Sequence, residues 1–139
     1  LLVLLGVIAA GTAALLPGIA LPLPGRMLMA GTCVLGGIAL NVLAKLTFAS
    51  AGTTINPLAP QRAHSWNHGL HRYTRNPMYL GHALLLGGWI VSLQQDAALV
   101  LVGAYVLAIT RLQVLPEERA LAAQFGPDYA AYCRVTPRW

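Results

Sequence analysis

The chain has 139 residues, of which 57% are hydrophobic and only 9% are charged. A water-soluble domain carries about 25% charged residues, so the composition excludes one and assigns the chain to the membrane. The net charge of +5 is not a nucleic-acid signature, because the basic residues sit at the ends of apolar runs and are not interleaved with aromatics.

Four apolar segments are predicted, giving an all-α membrane protein with about four transmembrane helices and a cytosolic, amphipathic helical tail. The first covers residues 1–16, which is short for a span unless residues precede it, since about 20 are needed. It lacks a basic leading region, and equally apolar runs follow it, so it is not expected to be a removable signal. Pro17, Gly18, Pro22, Pro24 and Gly25 are expected to break the helix there. The second segment covers residues 27–48. The third, 77–93, opens on Pro77 at the first helical position, where its missing N–H costs nothing. Gln94-Gln95-Asp96 reads as a minimal polar turn. The fourth, 97–115, is expected to stop at Pro116. The pairs Gly36-Gly37 and Gly87-Gly88 lie inside segments, where small residues let helices approach, and packing is their expected role.

The tail, 116–139, reads as a short helix over 117–124 with Leu121 and Phe125 on one side, broken at Gly126-Pro127. A second helix over 127–134 then places Tyr129, Tyr132 and Cys133 on one face. With four spans, the 50–76 loop and the tail share one side of the membrane. Eight of the nine Lys and Arg residues belong to that side and only Arg26 to the other, which makes the loop, the tail and both termini cytosolic. Cys33 and Cys133 are expected as free thiols. The whole chain is expected to act as one integral-membrane domain.

Polar residues cluster in 50–76 with the start of the third segment, and in 111–118. A charge at membrane depth costs a few kcal/mol unless paired, so Arg75, Arg111, Glu117 and Glu118 are candidates to line one polar pocket at the cytosolic mouth. Two plainer roles stay open: Glu117 and Glu118 complementing a helix dipole, and Arg75 reaching lipid phosphates. His64, His68 and His71 are spaced four and three apart, but no Cys or carboxylate lies nearby and Gly69 argues against a regular helix, so no metal site is expected. His82 is of more interest as a pocket residue. No nucleophile elbow, P-loop or dinucleotide-binding glycine pattern is present.

An ordered series of motifs stands out: Gly52-Thr-Thr-Ile-Asn-Pro57, Gly69-x-x-x-Tyr73-x-Arg75-Asn-Pro-Met-Tyr-Leu-Gly81, Pro116-Glu-Glu118, Phe125-Gly-x-x-Tyr129-x-x-Tyr132 and Arg138-Trp139. It resembles the integral-membrane methyltransferases of the isoprenylcysteine carboxyl methyltransferase and phospholipid methyltransferase group, over roughly residues 50–139. Asn76 stands where many relatives have His, and His71 where an aromatic is common.

The resemblance implies S-adenosylmethionine (SAM) as methyl donor. It implies a cofactor site drawn from His71, Tyr73, Arg75, Asn76, Pro77, Tyr79, Leu80, Gly81, Glu117 and Glu118. Arg75 or His71 would meet the SAM carboxylate, Glu117 or Glu118 the ribose hydroxyls or the ammonium, and Tyr73 and Tyr79 the adenine or the sulfonium. The acceptor is expected to be lipophilic, isoprenylcysteine carboxylate-like or phospholipid-like, and to enter from the bilayer while SAM enters from the cytosol. A carboxylate acceptor would need only a cation such as Arg111 to position it. An amine or thiol would need a base, His82 or a glutamate such as Glu118. The setting implied is a multi-pass protein of a bacterial or archaeal inner membrane, among membrane lipids and with no obligate protein partner. The alternatives are an NADPH-dependent enzyme of the sterol-reductase type and a non-catalytic small membrane protein.

Overall fold

A computed structural model of the chain describes residues 1–12, 22–50, 69–94 and 96–139, with the side chains of 12, 48–50 and 96 left aside. The Gly52–Pro57 motif, His64 and His68 lie outside the described residues. Helices α1 (Leu2–Thr12), α2 (Leu23–Ser50), α3 (Pro77–Ser92), α4 (Val100–Ile109) and α5 (Leu115–Val135) follow one another. Short 3-10 turns lie at Gly69–Arg72 and Asp96–Leu99, and a π turn at Thr110–Val114 joins α4 to α5. The described residues contain helices and turns and no strand. Among the described residues two helical stretches are long and apolar enough to cross a membrane, Leu23–Thr47 and Ala97–Val135. At 16 residues α3 is about 24 Å long, short of a hydrocarbon core of about 30 Å.

Three helix boundaries depart from expectation, each because of where a proline falls. α2 begins at Leu23, not Met27: Arg26 N–H bonds Pro22 O at 3.1 Å, so Pro24 and Gly25 lie in the first turn, whose N–H groups have no helical partner anyway. The helix does not stop at Pro116 either. The π turn before it closes Leu115 N–H onto Thr110 O, five residues back, and this wider turn makes room for a ring that would strike the carbonyl four residues back. The predicted break at Gly126-Pro127 is a kink within α5: Gly126 takes φ 51°, ψ −121°, a conformation that favours glycine, and the helix resumes at once.

The chain forms two compact units, one of Leu1–Ala39 with Gly81–Ala108 and the other of Leu40–Leu80 with Ile109–Trp139. In the first unit, antiparallel α2 and α3 meet at glycine. A Cβ on Gly37 would come within 2.7 Å of Gly81 O and 2.8 Å of Leu85 Cγ, and one on Gly88 within 2.9 Å of Val34 and 3.0 Å of Ala30 O. The same atom on Gly36 or Gly87 would make only ordinary contacts, so one glycine of each pair is needed for the close approach. The Trp89 indole N–H reaches Gly6 O of α1 at 3.3 Å, while Ile90 and Tyr105 fill the interior. Val3, Leu28, Leu35, Val100 and Leu107 point outward, a surface suited to hydrocarbon and not to water. Thr32 and Thr47 return their hydroxyls to the carbonyls four residues back, so these polar atoms are satisfied within α2 itself.

In the second unit, Leu121, Tyr129 and Tyr132 of α5 form a small core with Phe125 and Cys133 against it. The face predicted for the tail is therefore the packed one. Gly69 opens the 3-10 turn in the left-handed region, φ 60°, with its backbone so close to Thr47 that a Cβ would lie 2.7 Å from the hydroxyl. The N-terminus of α3 follows, where Leu80 N–H bonds Asn76 O, making Asn76 the cap and Pro77 the first helical residue.

Candidate functional site

The second unit collects most of the polar residues singled out in the sequence. Glu118, in the first turn of α5, accepts from three guanidinium N–H groups. Arg75 Nη1 bonds Oε1 at 2.8 Å, and Arg138 makes a two-pronged contact, Nε to Oε1 at 2.9 Å and Nη2 to Oε2 at 2.7 Å. These are the two ion pairs among the described residues, and both use Glu118. The contact with Glu118 holds the Arg138 pKa above its ordinary value, so this cation persists throughout the working range. Arg75 Nη1 also lies 2.9 Å from Cys133 Sγ, whereas its Nε is buried and has no hydrogen-bond partner among the described residues. Cys33 and Cys133 are both free thiols.

One residue earlier, Glu117 makes a different set of contacts. Its Oε1 accepts from the Tyr79 hydroxyl at 3.0 Å and from Gln113 Nε2, in the π turn, at 3.2 Å. The Arg75-to-Tyr79 stretch and the glutamate pair, some 40 residues apart in sequence, are thus joined by two direct bonds.

The last residues of the chain hold this arrangement from one side. After α5 the backbone turns extended at Thr136, φ −116°, ψ 122°. Arg75 N–H donates to Pro137 O at 3.0 Å, and the Thr74 hydroxyl and Asn76 Nδ2 both donate to Arg138 O at 3.1 Å. Asn76 N–H in turn donates to the Thr74 hydroxyl. His71 is buried, and its carbonyl accepts a 2.7 Å bond from the Tyr132 hydroxyl. Beside these groups α5 bears a cleft of about 290 Å³ lined by Glu118, Arg119, Gly126, Tyr129 and Cys133.

The structure brings together Arg75, Asn76, Pro77, Tyr79, Glu117 and Glu118, while His71 is tied to α5 through Tyr132. It does not add Arg111, which is exposed in the π turn and makes no ion pair among the described residues. Tyr73 is exposed and lies under the Arg72 guanidinium, 5.5 Å from its ring centre. His82 and Gly81 belong to the first unit, where His82 is half-buried. Sequence reasoning missed Gln113, Thr74 and the parts played by Arg138 and Cys133. Arg138 had a signal, since it stands in the motif series, and Cys133 shares the tyrosine face. Gln113 had none, because nothing in the sequence announces a π turn. Among the described residues no three His, Cys, Asp or Glu side chains gather as metal ligands do.

Comparison with known proteins bears on what these residues do. An uncharacterized protein of Haemophilus influenzae is 34% identical over 62 residues, which is 45% of this chain and 98% of that protein. No solved structure matches. The phospholipid methyltransferase family matches residues 25–128, a stretch that contains α2 but for its first two residues, α3, α4, the π turn and the glutamate pair. That match covers most of the chain and replaces the reductase and non-catalytic alternatives: the chain belongs to the phospholipid methyltransferase family and is a methyltransferase of the membrane.

Proposed function

We propose that the protein transfers a methyl group from SAM to a lipophilic acceptor, isoprenylcysteine carboxylate-like or phospholipid-like, at the cytosolic face of the membrane. In this reading residues 1–139 work as one domain with four membrane segments, and the excess of Lys and Arg on one side orients it. The observation that carries the proposal is the direct bonding of Arg75 to Glu118 and of Tyr79 to Glu117. These contacts join cations, carboxylates and a phenol, and Glu118 among them lines an open cleft on α5.

The residues present fit the cofactor. SAM carries an ammonium, a carboxylate, a ribose diol, an adenine and a sulfonium, and the site offers a group for each class. Glu117 accepts hydrogen bonds, the buried Nε–H of Arg75 has no acceptor among the described residues, and the Tyr79 ring can face a cation. In this reading His71, Tyr73, Asn76, Pro77 and Leu80 of the same motif complete the site. When bound, SAM supplies a methyl carbon already activated by the neighbouring sulfonium. What remains for the protein is to hold the acceptor about 3–3.5 Å from that carbon and to keep water away. Arg111, exposed on the π turn, would position a carboxylate acceptor. For an amine or thiol a base other than Glu118 must take the proton, because Glu118 already serves two guanidiniums.

Calorimetry on the purified protein in detergent, with SAM, S-adenosylhomocysteine and NADPH, tests the reading. Binding of the first two without NADPH is expected, followed by transfer of a labelled methyl group to a component of a lipid extract. Failure to bind either sulfur compound would overturn it.

A further inference from the structure

We propose that the first unit carries a lipid site of its own, a groove between α1 and α3 that holds one acyl chain of a bilayer phospholipid. The inference stands apart from the methyl-transfer reading, because the groove lies wholly within that unit and shares no residue with the candidate site. α1 also lies outside residues 25–128, so the family match does not account for the groove.

The groove follows from where α1 places its small residues. Val3, Gly6, Val7 and Ala10 recur at i, i+3, i+4 and i+7 and share one face of the helix, while Leu5 and Ala9 turn away from it and are buried. Leu86, buried, and Trp89, half-exposed, line the other side from α3. The hollow between them is about 300 Å³. Position 6 keeps it open. A Cβ on Gly6 would meet no atom within 4 Å, so this glycine serves no close approach of helices, unlike Gly37 or Gly88. Trp89 spends its indole N–H on Gly6 O at 3.3 Å, which leaves the ring as an apolar surface.

That lining selects hydrocarbon. None of its residues is charged, and its one polar side-chain atom is the indole nitrogen already bonded to Gly6. A headgroup, hydroxyl or amide placed there would lose its hydrogen bonds at a cost of about 2–7 kcal/mol, whereas a run of methylenes loses nothing. Val3 and Val7, 80% and 64% exposed, form the rim and belong to the outward apolar surface, so the groove opens sideways into the bilayer. Its dimensions select a single chain. Residues 2–10 cover about 12 Å of helix, close to the roughly 15 Å of hydrocarbon in one leaflet. A helix is about 10 Å across and over that length would need several times the volume, so a span of a second copy does not fit within it. The hydrophobic effect does not move a chain from lipid into the groove, because lipid tails are as apolar as leucine. Contact does: a chain there touches two helices and an indole face, and an unfilled hollow would forfeit those contacts on every side.

The experiment reconstitutes the full chain in phosphatidylcholine vesicles that contain a phosphatidylcholine with a diazirine on one acyl chain. After illumination, labelled residues are mapped by peptide mass spectrometry in wild type, Gly6→Leu, Ala10→Leu and Gly11→Leu, with melting temperature recorded alongside. The first two variants fill the groove. Gly11→Leu adds bulk to the same helix at a position outside the lining, where a Cβ likewise meets nothing. Wild type should concentrate label on residues 2–10 and 85–89, above the level on the outward residues Val100 and Leu107. Gly6→Leu and Ala10→Leu should fall to that level at an unchanged melting temperature, and Gly11→Leu should keep the wild-type pattern. Even labelling of every outward surface in wild type, or label that survives both filling variants, would overturn the proposal. Absence of label in the groove, together with a dimer in vesicles that Gly6→Leu dissociates, would overturn it in favour of a second copy.

Discussion

Replacing Glu118 by alanine should loosen the second unit before it affects any chemistry. The carboxylate accepts three charge-assisted bonds of 2.7 to 2.9 Å from two arginines. Its own side chain is 16% exposed and that of Arg75 only 14%, so the variant leaves the Arg75 guanidinium shielded from water beside a thiol. Breaking a buried pair by removing one partner costs about 3–5 kcal/mol. The Arg138 arm is 36% exposed and adds at most about 1 kcal/mol. A loss of that size lowers the melting temperature of a small unit by about 15 °C. Thermal unfolding in detergent, followed by near-ultraviolet circular dichroism, measures it. Adding Arg75→Met to the variant removes the stranded charge and should restore part of the loss, a non-additivity that a solvated surface pair would not show. A shift under about 3 °C, or strictly additive losses, would refute the argument that the pair is buried and mutually dependent.

The glycine contacts make a second prediction: Gly37→Ala drives a methyl into a backbone oxygen and should cost about 1–3 kcal/mol, whereas Gly36→Ala meets only ordinary contact and should be near neutral. Comparing their melting temperatures in one detergent decides it. Tyr132→Phe removes the 2.7 Å bond to the buried His71 carbonyl and should cost about 1–3 kcal/mol, with faster proteolytic cleavage near residue 71 as its local sign.

How the chain divides between apolar helices and polar segments can be read along the sequence. The run from Met27 to Phe48 is apolar for longer than any soluble core helix needs, and α2 covers it. The i, i+3, i+4 spacing of Tyr129, Tyr132 and Cys133 marks a face before any coordinates are known, and that face is packed. Prolines misled because their effect depends on the turn they occupy. Pro24 is harmless as the second residue of a helix, and Pro116 is accommodated by a π turn that no local pattern announces. The motif series was also legible, and it points to the family that the comparison then shows.

Apolar length, charge asymmetry and motif order are therefore properties of the sequence alone. A backbone in lipid must satisfy its hydrogen bonds within its own helix, and that need is written locally. Pairing among the polar groups is different. Whether Arg75 meets Glu118 or lipid phosphate, and whether Tyr79 reaches Glu117 across 38 residues, depend on how each helix is turned about its axis. So does the place of the chain end, where Arg138 lies against residues more than 60 positions earlier. Only tertiary structure decides those, because a side-chain bond acts over about 3 Å and a modest rotation of one helix breaks it while leaving every apolar face where the sequence put it.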